Sequence, residues 1–241
     1  MQNFKASDCA AFPIPTGVNY TTVGTLTDER DGKQYQVRKF ADGKCWMVDN
    51  LAFGGVTAQG GSDACTGKTT FAGNGAATPS NRFGLGTYGD CRDPAAAGNG
   101  EATYCATGAG AGKCGYLYNW QAAMQHESAY YGGTYVGGEI NHQGLCPKGW
   151  HVPSGGDSGE FYLLHTVAGS PVTGFWQPDG NWQGILSSYC DASNGEINYN
   201  HSQPQGEWGF WWTSKKVGSN GYYYLRCYRR QRATFLFFLH G

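Results

Sequence analysis

The stretch DGKQYQVRKFADGKCWMVDNL, residues 31–51, decides how the chain starts to fold. Asp31-Gly32 and Asp42-Gly43 each separate β-prone runs, and an Asp-Gly pair in that setting is a strong hairpin signal. Tyr35, Val37 and Lys39 alternate with Gln36, Arg38 and Phe40, which predicts a half-exposed strand. Trp46, Met47 and Leu51 are expected to enter the core. Extended outward, residues 20–53 read as a β-rich opening.

The whole chain has 241 residues, with 39 Gly, 8 Trp, 16 Tyr and 12 Phe, and only 15% charged residues. A disordered chain needs few aromatics and many charges, so disorder is excluded. Apolar residues seldom recur at helical spacing, which excludes a helical bundle. No apolar run approaches the ~20 residues of a membrane-spanning helix. Glycine-rich turns on an aromatic frame point to an α+β domain, read as a single domain over 1–241.

Residues 54–113 are rich in Gly, Ala, Thr and Ser and poor in large aliphatics. Such a segment has too little apolar surface for a core of its own and reads as long loops stapled by disulfides. Nine cysteines without a CxxC pair favour disulfides in an oxidising compartment over zinc or redox chemistry. The expected pairs are Cys9–Cys45 around the first hairpin, then Cys65–Cys91 and Cys105–Cys114. An odd count leaves one free thiol or a partner outside the chain. Residues 1–12 include Lys5 and Asp8 and no apolar signal segment, so the expectation is a mature extracellular or cell-surface domain.

A helix is predicted over 115–131, with Leu117, Trp120, Ala123 and Met124 on one face. A second is predicted after Ser154 or Asp157 as cap, burying Phe161, Leu164 and Val167. Trp46, Trp120, Trp150 and Trp212 are expected to be largely buried.

Four blocks in order now carry a family likeness: residues 31–51, CGYLYNWQAAM (114–124), GLCPKGWHVPS (144–154) with its following helix, and GFWWTS (209–214). Together they resemble the Fibrobacter succinogenes major paralogous domain family. That likeness implies a C-type-lectin-like fold of the formylglycine-generating-enzyme branch, two helices on short twisted antiparallel strands. Residues 54–113 then look like an insertion. The family typically closes on a strand of the type G-x-S-V-R-C-V, whereas this chain stops at Leu239-His240-Gly241; a tenth cysteine just beyond would explain the odd count. The resemblance implies an exported protein without assigned enzyme activity. The same fold serves as the diversified target of diversity-generating retroelements, which vary a C-terminal binding surface.

Other motifs carry less chemistry. Gly84 to Gly89 matches GxGxxG, but loop residues flank it where a strand and a helix are required. Gly112-Lys113-Cys114 lacks the spacing and hydroxyl of a phosphate loop, and His126-Glu127 lacks the second histidine of a zinc helix. Gln177-Pro178-Asp179 resembles the triplet with which some lectins hold calcium and a galactose-type sugar. Its oxygen donors suit Ca²⁺, although the downstream partner triplet is missing. A calcium-dependent lectin using Gln177 and Asp179 is thus the alternative reading. A formylglycine-generating-type enzyme is the second alternative; it needs paired copper-holding cysteines, and Cys190 and Cys227 are the late ones. The preferred expectation has no cofactor and no catalysis.

The C-terminal segment, 208–241, carries the functional expectation. From Lys215 onward six basic residues occur and no acidic one, while the first 214 residues hold 11 basic and 18 acidic, a balance of −7. Tyr222, Tyr224, Arg226 and Tyr228 alternate with Tyr223, Leu225 and Cys227, so a strand here presents one aromatic and basic face. Tyr and Arg dominate binding hot spots. The expected ligand-binding residues are Trp211, Tyr222, Tyr224, Arg226, Tyr228, Arg229, Arg230 and Arg232. The expected partner is a protein or glycan on another surface. The acidic body opposes nucleic acid, and a membrane is expected only through an anchor outside the chain.

Overall fold

In the computed structural model the described residues are 4–17, 19–53, 91–92, 103–108, 110–118, 123–124, 143–167, 181–182, 185–187, 206–217, 221–228 and 234–239. A short 3-10 turn, Ala6–Ala11, leads into a three-stranded antiparallel sheet of β1 (Thr21–Thr27), β2 (Gln34–Lys39) and β3 (Cys45–Met47). Both Asp-Gly pairs turn where expected. Gly32 and Gly43 take φ of +74° and +79°, which only glycine adopts without strain. The backbone N–H of Asp28 and of Phe40 then close the turns onto Lys33 O and Lys44 O.

The half-exposed reading of β2 needs correction, because Val37, Arg38, Lys39 and Phe40 are all buried. One face packs under the N-terminal segment, where Val37 joins Phe4, Val23 and Leu26, with Trp150 against them. The other face meets the main aromatic cluster of Phe40, Trp46, Phe161, Leu164, Trp182, Leu186 and Leu225. Charged residues on a strand usually face water, yet here Lys39 donates to Cys9 O at 2.9 Å and Phe12 O at 2.8 Å. Two carbonyls thus replace water for its ammonium.

Cys9–Cys45 ties the N-terminal turn to β3, and Cys105–Cys114 closes a second loop. Both pairs match expectation; Cys65–Cys91 lies outside the described residues, except for the backbone of Cys91. That backbone forms β4 (Cys91–Arg92), paired antiparallel with β5 (Leu117–Tyr118). The 54–113 segment also contributes to the core: α1 (Thr103–Ala106) brings Tyr104 against the main cluster, where its hydroxyl accepts from Leu186 N at 3.3 Å.

The predicted helix over 115–131 does not begin at 115. Residues 117–118 are extended, and the first helical residues described beyond them are Ala123 and Met124, both buried. Gly115 explains the delay. At φ +65° it lets Tyr116 N reach Leu51 O at 2.8 Å, and a Cβ there would stand 2.4 Å from that same oxygen. The second helix, α2, spans Glu160–Val167 and buries Phe161 and Leu164, while Val167 remains exposed. Of the two expected caps it uses Ser154, whose Oγ accepts from Glu160 N at 3.1 Å.

A second antiparallel meander ends the fold: β6 (Trp208–Val217), β7 (Gly221–Tyr228) and β8 (Thr234–Leu239), in that order. The ladder of β6 and β7 breaks between Trp212 and Lys216, where Ser214 N bonds Pro153 O at 2.9 Å instead. This is an α+β protein of antiparallel sheets, few helices and at least two disulfides. Among the described residues no helix is long and apolar enough to cross a membrane.

The tryptophan expectations divide. Trp46 is buried, Trp150 and Trp212 are half-buried, and Trp120 is not among the described residues. Trp182, which sequence reading passed over, is 3% exposed and lies 5.8 Å from Phe40, 5.6 Å from Trp46 and 6.2 Å from Phe161.

Candidate binding face

The register of β6 with β7 sets Trp208 opposite Tyr228, Phe210 opposite Arg226, Trp211 opposite Leu225 and Trp212 opposite Tyr224. Side chains alternate across a sheet, so Trp211 and Leu225 share the core face. Leu225 is fully buried, and Trp211 packs against the main cluster while its Nε1 donates to Asn50 Oδ1 at 2.9 Å. Asn50 is a hub: its Nδ2 lies 3.1 Å from Cys114 O and 3.3 Å from both Ile185 O and Ser187 Oγ. Trp211 therefore anchors the strand from inside and does not stand with the other expected ligand residues.

The opposite face carries Trp208, Phe210, Trp212, Tyr224 and Arg226, all half-buried. Trp208 and Phe210 are near parallel with centroids 6.2 Å apart, and the Arg226 guanidinium carbon lies 4.9 Å from the Trp208 ring centroid. Phe210 and Tyr224 are 5.6 Å apart. No carboxylate pairs with Arg226 among the described residues, and its guanidinium lies over an aromatic base.

The other end of that face is covered. Trp212 meets Tyr224 edge-on at 5.9 Å, packs against Ala123, Met124 and Val152, and donates from Nε1 to Tyr118 O at 2.7 Å. Tyr224 is therefore a shoulder of the scaffold as much as a surface ring. Trp208 and Phe210, which the sequence does not single out as ligand residues, complete the row with Arg226. Their period-two spacing before Trp212 was the available clue.

No family model, curated protein or solved structure matches the chain significantly. The remaining expected site residues divide by position. Tyr222 and Tyr228 stand in β7 opposite Lys216 and Trp208 in register. Arg229, Arg230 and Arg232 lie outside the described residues, as do Gln177 and Asp179 of the calcium reading, Cys190, and the GxGxxG and His126-Glu127 motifs. Of Cys227 only the backbone is described. Among the described residues no group of three metal-ligating side chains occurs.

Two further polar sites are internal. Asp28, 1% exposed, takes a two-pronged bond from Arg30, with Nε at 2.8 Å and Nη2 at 2.6 Å, while the guanidinium stacks 3.8 Å from the Phe53 centroid. Cys146 beside them is an unpaired thiol, and burial pushes it up to about 12, which removes thiolate reactivity at neutral pH.

Proposed function

We infer that the chain is an exported, non-catalytic binding module that displays the outer face of β6 and β7 to an acidic protein or glycan. The observation that carries this reading is the Trp208–Phe210–Arg226 row, an aromatic base under a guanidinium with no carboxylate partner among the described residues. Aromatic rings supply contact area with little loss of side-chain freedom, and Arg adds directional charge. The basic segment from Lys215 onward speeds encounter with an acidic surface and makes association salt-sensitive. Disulfides Cys9–Cys45 and Cys105–Cys114 support an oxidising, extracellular setting. The scaffold is read as C-type-lectin-like on its likeness to the Fibrobacter succinogenes major paralogous domain family, with the C-terminal strands as a retroelement-diversified display surface.

The test is binding of the purified protein to arrays of glycans and of bacterial surface proteins, at low and at physiological salt. Arg226→Ala and Phe210→Ala should each weaken the best ligand at least about tenfold, the scale of a hot-spot residue, with thermal unfolding nearly unchanged. Full retention of binding by both folded variants would refute the assignment.

A further inference from the structure

Two buried cations stand next to each other on β2, and the fold treats them differently. Lys39, 4% exposed, has its ammonium seated on two carbonyl oxygens. Arg38, 2% exposed, donates from Nη1 to Asn181 O at 2.5 Å, and its Nε is enclosed without an acceptor. No carboxylate among the described residues contacts it. Asp49, an acid whose charge reaches it, is engaged by Gln36 N at 2.6 Å. Burial pulls the guanidinium below its ordinary value, the mark of a charge short of partners.

A guanidinium offers two forks, and the Nε–Nη2 edge is the one that matches the two oxygens of a carboxylate. With Nη1 spent on Asn181 O, the Nε of that edge is buried without an acceptor. Over the group lies the ring of Tyr20, 4.0 Å from the guanidinium carbon and exposed on its outer side. Tyr20 sits just before β1, outside the β1–β2 ladder, whose first pair is Thr21 with Lys39, and its ring also meets Phe40 at 6.3 Å. Trp182, next to Asn181, and Phe40, whose ring meets Tyr20, belong to the main aromatic cluster, and an apolar setting strengthens an ion pair by excluding water.

We propose that Arg38, capped by Tyr20, is a carboxylate-binding site on the first sheet, separate from the C-terminal face. Its ligand is a carboxylate-bearing group, from either an acidic sugar or an acidic peptide side chain. Binding places the two carboxylate oxygens on Nε and Nη2, with the Tyr20 ring re-closing on the ligand. The site does not depend on the reading of β6 and β7.

The experiment titrates the intact protein with glucuronate, with an acetylated and amidated glutamate, and with sulfate, at ionic strength held constant with chloride. At about ten times the dissociation constant the folding equilibrium gains about elevenfold, a rise of about 3–6 °C in melting temperature for a chain of this size. Arg38→Met should show no rise with either carboxylate, and without ligand should melt at or above wild type, since it removes an unmatched buried charge. The Arg38 Nε–H resonance of the wild-type protein should shift saturably in the same titrations, a readout that stands even if the variant does not fold. The tighter of the two carboxylates identifies the source. An unmoved resonance, an equal response of Arg38→Met, or binding of sulfate as tight as either carboxylate would overturn the assignment.

Discussion

Glu160 offers the sharpest test of how the body of the fold is held. It opens α2, is 5% exposed, and has both carboxylate oxygens 3.0 Å from His151 Nε2. Ser154 N donates to it at 3.0 Å, and Lys44 Nζ, from the turn between β2 and β3, pairs with Oε1. Burial alone would push this carboxyl up. The hydrogen bonds from His151, Lys44 and Ser154 N–H outweigh burial and hold it down at about 2, against an ordinary 4.5. A depressed acid contributes stability that is present above its unfolded pKa and is lost as pH falls toward the folded one. A drop of about 2.5 units at about 1.36 kcal/mol each gives roughly 3 kcal/mol at neutral pH, of which about 1.4 kcal/mol is left at pH 3. Urea unfolding of wild type and Glu160→Gln at pH 7, 4.5, 3 and 2 isolates this contribution, since carboxylates elsewhere titrate in both proteins. The gap should be about 3 kcal/mol at pH 7 and close as pH approaches 2. A gap that stays constant from pH 7 to 3 would refute an ionic role and leave only shape and neutral hydrogen bonding.

The disulfides span 36 and 9 residues, for which chain-entropy scaling gives about 4 and about 2.5 kcal/mol. The double replacement Cys9→Ala/Cys45→Ala should therefore cost more in urea unfolding than Cys105→Ala/Cys114→Ala, and the reverse order would contradict that scaling. Gly115→Ala combines a φ of +65° with a 2.4 Å approach to Leu51 O, whereas Gly112, at φ +72°, has nothing within 4 Å of a new Cβ. The first substitution should cost at least about 2 kcal/mol and the second about 1 kcal/mol, so equal melting temperatures for the two variants would show that the clash is relieved. Under the binding-face reading calcium leaves melting and ligand affinity unchanged. A melting temperature raised by calcium and restored by chelator, with the effect lost in Asp179→Asn, would transfer the site to Gln177 and Asp179.

Local chemistry made the first hairpin legible: Asp-Gly pairs demand positive φ, and both glycines adopt it. Cys105–Cys114 was legible because it closes a short loop, and Cys9–Cys45 because its two cysteines flank the first hairpin. What escaped reading depends on contacts distant in sequence. Nothing around Arg38 and Lys39 says that the N-terminal segment covers one face of β2 and the Trp182 region the other. Trp182 itself sits in a turn-rich stretch, QPDGNW, where no periodicity marks it as core. Tyr104 was hidden likewise, inside a loop too poor in aliphatics to suggest a core residue. The helix start at 115 failed for a local reason that only the fold reveals, the close passage of Gly115 against the Asn50 and Leu51 carbonyls. On the C-terminal strands alternation at 224–226 was read correctly, but alternation cannot tell which neighbours of an outward ring are themselves covered.

That last distinction turns the display reading into a graded expectation. The strands are held from within: Leu225 is fully buried, Trp211 is bonded to Asn50, and Ser214 N to Pro153 O. None of these anchors uses the side chain of Phe210 or Arg226. Trp212 and Tyr224 differ, because Trp212 packs on Met124 and Val152 and bonds Tyr118 O, while Tyr224 braces it edge-on. Replacing Phe210 or Arg226 with Ser should cost about 1 kcal/mol or less, the scale of an exposed cation–π or ring contact. Replacing Trp212 or Tyr224 with Ala should cost about 2–4 kcal/mol, a partly buried aromatic leaving a cavity. A saturation library over 208–228, sorted for folded display and sequenced, reads all four positions together. A diversified binding surface requires tolerance at 210 and 226 alongside intolerance at 212 and 224. Equal depletion at all four would make the whole face core, and the functional reading would have to move elsewhere on the molecule.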